Sequence, residues 1–306
     1  MPKTKISMSL YEVRLSITGA CNHNCFYCGP FSDGKIDNGY KNLLLKQVKK
    51  ITPLLKELDI HVQITGGEPT LRNNLIDIVK TLKKGGIDDI GMSTNGSNMN
   101  PKYAKSLVDA GISDIHIHFP SLDQDIFSKT TGDKQKGVVK RILKTVDSLK
   151  NLGCGVELNT PITALNKEKT AELMGYCYEN KINLKLIEIV SSSDKKIEED
   201  EIRDLLKSWV HKKSLSLNKV KVKNKYGIVY DFGGFFFRIA PETEGLLDFL
   251  EGRSDEVLYD GRYWIGGNGG KFLFSPTCFL PPQKGNFNDF EKNIKETIKK
   301  YQNEKK

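Results

Sequence analysis

Short apolar stretches alternate with amphipathic helical stretches along the first two thirds of the chain, and this alternation restricts the fold more than any other feature. Candidate strands fall at residues 11–17, 60–64, 89–93, 114–118, 155–159 and 183–189. Helical spacing recurs between and after them, at residues 43–58, 74–84, 101–109, 136–151, 167–179 and 197–212. A return to a parallel neighbour needs a crossover, so six strand–helix units in series predict a parallel sheet. Six units fall short of the eight that close a barrel. The expected fold class is α/β, a partial (βα)6 TIM-like barrel over residues 1–215.

The pattern changes after residue 215. Residues 219–225, 228–231, 235–239, 262–265 and 271–274 read as short strands separated by glycine-rich turns, and residues 287–301 as a closing helix. Residues 216–306 are therefore expected to form a C-terminal α+β extension that covers the open side of the sheet and closes its mouth.

Composition excludes several classes. The 306 residues are 38% hydrophobic and 28% charged, enough for a packed core and against wholesale disorder. No apolar run approaches the roughly 18 residues of a membrane span, and the polar start lacks a signal-peptide core. A cytoplasmic protein is expected, with no membrane partner. The net charge is +9, but the lysines are scattered and no arginine-rich stripe exists. That distribution reads as a solvated surface, and nucleic acid is not an expected partner.

Of the six cysteines, three crowd into Cys21-Asn-His-Asn-Cys25-Phe-Tyr-Cys28, directly after the first candidate strand. A disulfide framework would be even and spread, so metal ligation is the better reading. On spacing alone two centres fit. One is a [4Fe-4S] cluster with one iron left open. The other is zinc, which needs a fourth ligand such as His23. Cys154 and Cys177 read as small apolar core residues. Cys278 reads as a buried inert thiol, with hydrogen-atom donation or a vestigial ligand as alternatives.

In parallel α/β architectures function collects at the C-terminal ends of the strands. The second strand ends in Ile64-Thr-Gly-Gly-Glu-Pro-Thr-Leu-Arg72, where Gly66 and Gly67 let backbone approach a small molecule and Glu68 can accept from an amine. The third ends in Ser93-Thr-Asn-Gly96. His116 and His118 alternate on one strand and share a face.

Cys21-x3-Cys25-x2-Cys28 followed by Gly66-Gly-Glu-Pro69 resembles the radical S-adenosylmethionine enzymes. The resemblance implies one [4Fe-4S] cluster held by Cys21, Cys25 and Cys28, its open iron chelated by S-adenosylmethionine. Reductive cleavage of the sulfonium then gives a 5′-deoxyadenosyl radical that takes hydrogen from substrate. Within that superfamily the chain is similar to the GTP 3′,8-cyclases of molybdenum-cofactor biosynthesis. Their signatures are matched by Val13-Arg-Leu-Ser-Ile-Thr18, Thr94-Asn-Gly96, Ser121-Leu-Asp-x3-Phe127 and Leu184-Lys-Leu-Ile-Glu188. The resemblance implies cofactor contacts from Tyr27, Gly66, Gly67, Glu68, Thr94, Asn95, His118, Asn159, Lys185 and Val190. It implies substrate contacts from Arg14, Thr94 and Arg262, and an electron donor of the flavodoxin or ferredoxin type.

The departures from the cyclases are specific. Their second cluster needs Cys-x2-Cys-x13-Cys, and only Cys278 matches it here. Basic residues flanking the second strand are replaced by His61 and Gln63, a lysine by Glu157, a serine by His118 and an arginine by Lys185. The replacements at His61, Gln63 and Glu157 read as a loss of cations from a triphosphate site, so GTP cyclisation is not expected. The expected substrate is a nucleoside, nucleotide or nucleotide-sugar type of small molecule, undergoing rearrangement, cyclisation, decarboxylation or redox change. The rival readings are modification of a peptide or protein side chain, and a non-catalytic iron–sulfur or zinc-binding module.

Overall fold

A computed structural model describes residues 5–6, 12–28, 42–189, 196–220, 228–240, 258–259, 262–275 and 283–303. In chain order its strands are β1 (Lys5–Ile6), β2 (Glu12–Ser16), β3 (His61–Thr65), β4 (Ile90–Thr94), β5 (Asp114–His118), β6 (Gly155–Ile162) and β7 (Asn183–Glu188). They continue as β8 (Asn218–Val220), β9 (Ile228–Asp231), β10 (Phe236–Ala240), β11 (Leu258–Tyr259), β12 (Arg262–Asn268), β13 (Lys271–Ser275) and β14 (Gln283–Gly285). Helices Leu45–Leu58, Leu75–Lys84, Pro101–Ala110, Val138–Asn151 and Thr170–Glu179 supply the crossovers. Each follows an apolar stripe at helical spacing, such as Val48, Ile51 and Leu55 in the first.

Strands β2 to β7 lie side by side in chain order and all parallel, as the alternation predicts. Beyond residue 215 the described strands join the edges of this sheet. Strand β10 adds parallel to β7, and β12 adds parallel to β2 at the other edge. Eight parallel strands therefore run β12-β2-β3-β4-β5-β6-β7-β10, and antiparallel β13–β14 and β9–β8 extend the two ends of one open twelve-stranded sheet. The described strands of the α+β extension widen the partial barrel, because β10 and β12 carry buried apolar faces that continue the existing core (Phe237, Ile239, Tyr263 and Ile265, all 0% exposed).

Alternation along each strand separates two faces. Val13, Leu15, Val62, Ile64, Ile115 and Ile117 are fully buried and form the core with the helices. The opposite, inner face carries Glu12, Arg14, Gln63, His116, Glu157 and Arg238. Arg14 bonds Glu12 along β2, while Arg238 bonds Glu157 and Gln63 meets His116 across strands. Sequence periodicity misses one helix, Gln124–Thr131, which buries only Phe127, Thr130 and Thr131. It starts because the Asp123 carboxylate accepts from the backbone N–H groups of Asp125 and Ile126.

Candidate functional site

The three cysteines leave the C-terminal end of β2 in a loop that the neighbouring strand ends grip. Gly67 N donates to Thr18 O at 2.7 Å and Glu68 N to Ala20 O at 2.8 Å. A Cβ at Gly67 would stand 2.3 Å from Ala20 O, and one at Gly66 2.3 Å from Thr18 O. Gly66 also has φ +142°, outside the comfortable range of an L-residue. The close approach of two backbones thus by itself requires the glycine pair, a packing reason that stands beside the expected contact with a small molecule.

Glu68 is fully buried and binds the loops together. Its Oε1 accepts from Thr70 N (3.0 Å), Thr70 Oγ1 (2.6 Å) and Thr94 Oγ1 (2.7 Å). Its Oε2 accepts from Asn95 N at 2.6 Å. Thr94 shares the helix-facing side with Ile90 and Met92, and its hydroxyl serves Glu68 and the Gly96 amide. Asn95 reaches back to the cysteine loop, donating from Nδ2 to Asn22 Oδ1 at 2.8 Å, while Asn22 Nδ2 donates to Ser97 Oγ at 2.8 Å.

Arg72 fastens both ends of the same loop. Its guanidinium donates to the Ile17 carbonyl where the loop begins and to the Leu43 carbonyl where it ends. Asn74 Oδ1 accepts from its Nε and Nη2 at 3.1 and 2.9 Å. Sequence reading left Arg72, Asn22, Ser97 and Asp133 without roles; the Asn on either side of His23 and the Arg closing the glycine motif were the available signals.

Cys21 is exposed, and Cys25 and Cys28 are half-buried. Burial, followed by the charges of Cys28 and Cys21, pushes the Cys25 thiol up to about 12. Desolvation, together with the charges of Glu68 and Cys28, also raises Cys21. Three cysteine sulfurs gathered in one loop, none of them in a disulfide, form a donor set that fits a cluster of iron. Behind the loop, His23 Nε2 is 3.0 Å from Asp133 Oδ2. Tyr27 and His118 share a hydrogen bond, and burial drives the His118 imidazole down to about 3, keeping it neutral.

Below the loop the inner face is polar. In register, His118 lies beside Asn159, Asn159 beside Lys185, and Lys185 beside Arg238. Asn159 Oδ1 is buried with no hydrogen-bond partner among the described residues. Arg14 donates to Glu12 at 3.0 Å and to Thr65 at 3.3 Å. Arg238 donates to Glu157 at 2.7 Å, and His116 Nε2 stands 3.1 Å from Asp114 and 4.0 Å from Glu157. Burial opposes a charge on His61, but Asp89 at 2.9 Å, Asp114 and Glu12 overcome it and raise its pKa to about 9.

The expected loss of cations is therefore corrected. His61 is a cation at neutral pH, and Glu157 faces an arginine that β10 delivers. What distinguishes the inner face is pairing. Arg262 begins β12 opposite Glu12, but its side chain lies outside the described residues, as do Val190 and Cys278.

Comparison with known proteins agrees with this geometry. The Radical SAM superfamily model matches residues 15–177, which spans the cysteine loop, the glycine motif and the strands to β6. The chain belongs to the radical SAM superfamily. It is 34% identical over 191 residues to the probable GTP 3′,8-cyclase of Methanococcus aeolicus, covering 60% of this chain and 61% of that protein. It is 29% identical over 220 residues to the GTP 3′,8-cyclase of Staphylococcus haemolyticus, covering 67% and 64%. The chain thus spans less than two thirds of the length of these curated relatives. In fold it is similar to Streptococcus suis SuiB bound to precursor peptide SuiA, with a TM-score of 0.64 and 18% identity, over 95% of this chain and 65% of that one. No helix among the described residues is long and apolar enough to cross a membrane.

Proposed function

We propose that this chain is a radical S-adenosylmethionine enzyme acting on a compact polar molecule of little net charge, nucleoside- or sugar-like in its hydrogen-bonding groups. The observation that carries the proposal is the stacking of a three-cysteine loop above an inner face on which Arg14, Arg238 and His61 are each matched to a carboxylate. Cys21, Cys25 and Cys28 would hold the iron of one [4Fe-4S] cluster. When bound, that cluster supplies the electron that cleaves S-adenosylmethionine and so starts hydrogen abstraction.

The remaining roles belong to this chain's own groups. The Glu68 clasp fixes the cysteine loop, and Asn159 Oδ1, without a partner among the described residues, favours a ligand that donates a hydrogen bond there. His118 and Lys185 flank it. A triphosphate would have to pull Arg14 and Arg238 from Glu12 and Glu157, which argues against GTP as substrate. The electron donor is proposed to be of the flavodoxin or ferredoxin type.

Anaerobic reconstitution tests the proposal. About four irons and four sulfides per chain, with 5′-deoxyadenosine released under dithionite, support it; bound zinc with no 5′-deoxyadenosine would refute it. The peptide-modifying alternative, prompted by SuiB and its bound precursor peptide, is separated by asking which candidates stimulate 5′-deoxyadenosine release. Stimulation by nucleosides and not by peptides or GTP is the expected pattern.

A further inference from the structure

A second donor set shares only Cys25 with the three cysteines of the cluster. One nitrogen of His23, the Cys25 sulfur and one nitrogen of His118 lie within 4.8 Å of one another. The His23 side chain is 1% exposed, and its Nε2 stands 3.0 Å from the Asp133 carboxylate, itself 3% exposed. A carboxylate only accepts, so Nε2 carries the proton and Nδ1 presents a bare lone pair. That Nδ1 is buried and has no partner among the described residues. A buried, unsatisfied acceptor is costly and rare, and coordination of an ion by its lone pair removes the cost.

The surroundings answer to an ion. A ligating histidine usually donates its second N–H to a carboxylate, which fixes the tautomer and the ring orientation. His23 and Asp133 have that arrangement. His118 has a comparable one, with the Tyr27 hydroxyl on Nε2 and no other hydrogen bond from the ring among the described residues. Two imidazoles and a thiolate form a donor set for zinc, with water completing the tetrahedron.

We infer that, in the protein without its cluster, His23, Cys25 and His118 bind one borderline divalent transition-metal ion of the Zn2+ class. Binding releases the Cys25 thiol proton to solvent, and no electron is transferred. Cys25 is shared, so this ion and a cluster held by all three cysteines exclude one another. A zinc-loaded chain resists iron–sulfur reconstitution until a chelator removes the metal. The ion needs neither Cys21 nor Cys28, so the inference stands or falls separately from the cluster reading.

The test uses the full chain, stripped of metal anaerobically and titrated with Co2+ alone. One cobalt per chain is expected, with tetrahedral visible bands and a single-thiolate charge-transfer band. Cys21→Ser/Cys28→Ser should keep that spectrum and lose the ability to assemble a cluster. Cys25→Ser should lose the charge-transfer band, and His23→Gln should lose tight binding. Asp133→Asn, which removes only the orienting carboxylate, should weaken binding by about 10–100-fold. Cobalt bound through two or three sulfurs, or unchanged affinity in both His23→Gln and Asp133→Asn with native circular dichroism, overturns the inference.

Discussion

Gly67→Ala separates a packing role from a ligand-lining role for the glycine motif. The added Cβ would lie 2.3 Å from Ala20 O, about 0.7 Å inside the closest approach real Cβ atoms make, and 2.6 Å from the Ala20 carbonyl carbon. Its neighbours are backbone, so no side chain can rotate away. The loop must retreat, stretching the Gly67–Thr18 and Glu68–Ala20 hydrogen bonds of 2.7 and 2.8 Å. Overpacking costs about 1–3 kcal/mol, and one weakened backbone bond adds about 0.5–1.5 kcal/mol. A loss of roughly 2–4 kcal/mol should lower Tm by roughly 4–8 °C in a chain of this size. Cluster loading should fall too, without S-adenosylmethionine present, because the displaced segment leads directly into Cys21. The assays are thermal unfolding of the apo chain and iron counting after reconstitution. Unchanged Tm and iron, with only weakened S-adenosylmethionine binding, would show that the glycine lines the cofactor and would refute the packing argument.

Glu157→Gln removes the carboxylate that stands 2.7 Å from the buried Arg238 guanidinium and should cost up to about 3–5 kcal/mol in urea unfolding; Glu157→Gln/Arg238→Met should recover much of it, and a single variant as stable as wild type would refute a contribution from the pair. Because folding raises His61 from 6.5 to about 9, its contribution is complete below pH 6.5 and is lost as pH rises through 9. Wild type should therefore lose stability over that window relative to His61→Gln; parallel pH profiles would count against a charged His61. Arg72→Lys keeps the charge but loses the fork that reaches the Ile17 and Leu43 carbonyls, so iron loading should drop while circular dichroism stays native. Equal loading in Arg72→Lys and wild type would deny the fastening role.

The fold was legible wherever local pattern decides it. Strand β5 falls on the expected residues 114–118, and the helices at 45–58 and 101–110 lie within two residues of expectation, since period-two and helical spacing are imposed by the nearest core. Helix Gln124–Thr131 escaped because it is short and mostly polar, and its start depends on one capping carboxylate. The pairing of β10 with β7 and of β12 with β2 could not be read locally, because register across such separations is set by which edge remains exposed. The cysteine and glycine motifs announced the site, but the packing reason for the glycines was not legible, since only the folded chain shows Thr18 and Ala20 against them. Glu157 was misjudged: a carboxylate in place of a lysine signals a changed charge until Arg238 arrives from a strand eighty residues onward.

That arginine bears on what the barrel can select. Closed barrels of this kind fill their interiors with bulky branched side chains, whereas here the inner positions carry Arg14, Gln63, His116, Glu157 and Arg238. Such groups are tolerated out of water only when bonded, and the 3.0 Å Arg14–Glu12 and 2.7 Å Arg238–Glu157 contacts meet that condition. Pairing has a further effect: it cancels most of the field that would draw in a polyanion, and on the proposed reading of this face it leaves fixed donors and acceptors as the means of discrimination. A site of that type rejects a guest lacking the matching group more strongly than one of the wrong size, because its own buried polar atoms are then left unsatisfied. Glu157 is on the sixth strand and Arg238 on the tenth, so the proposed selecting surface would be complete only when the C-terminal extension is in place against β7. Loss of that edge should therefore alter which substrate is accepted before it alters the cysteine loop, which is fastened at the other side of the sheet by Gly67, Glu68 and Arg72.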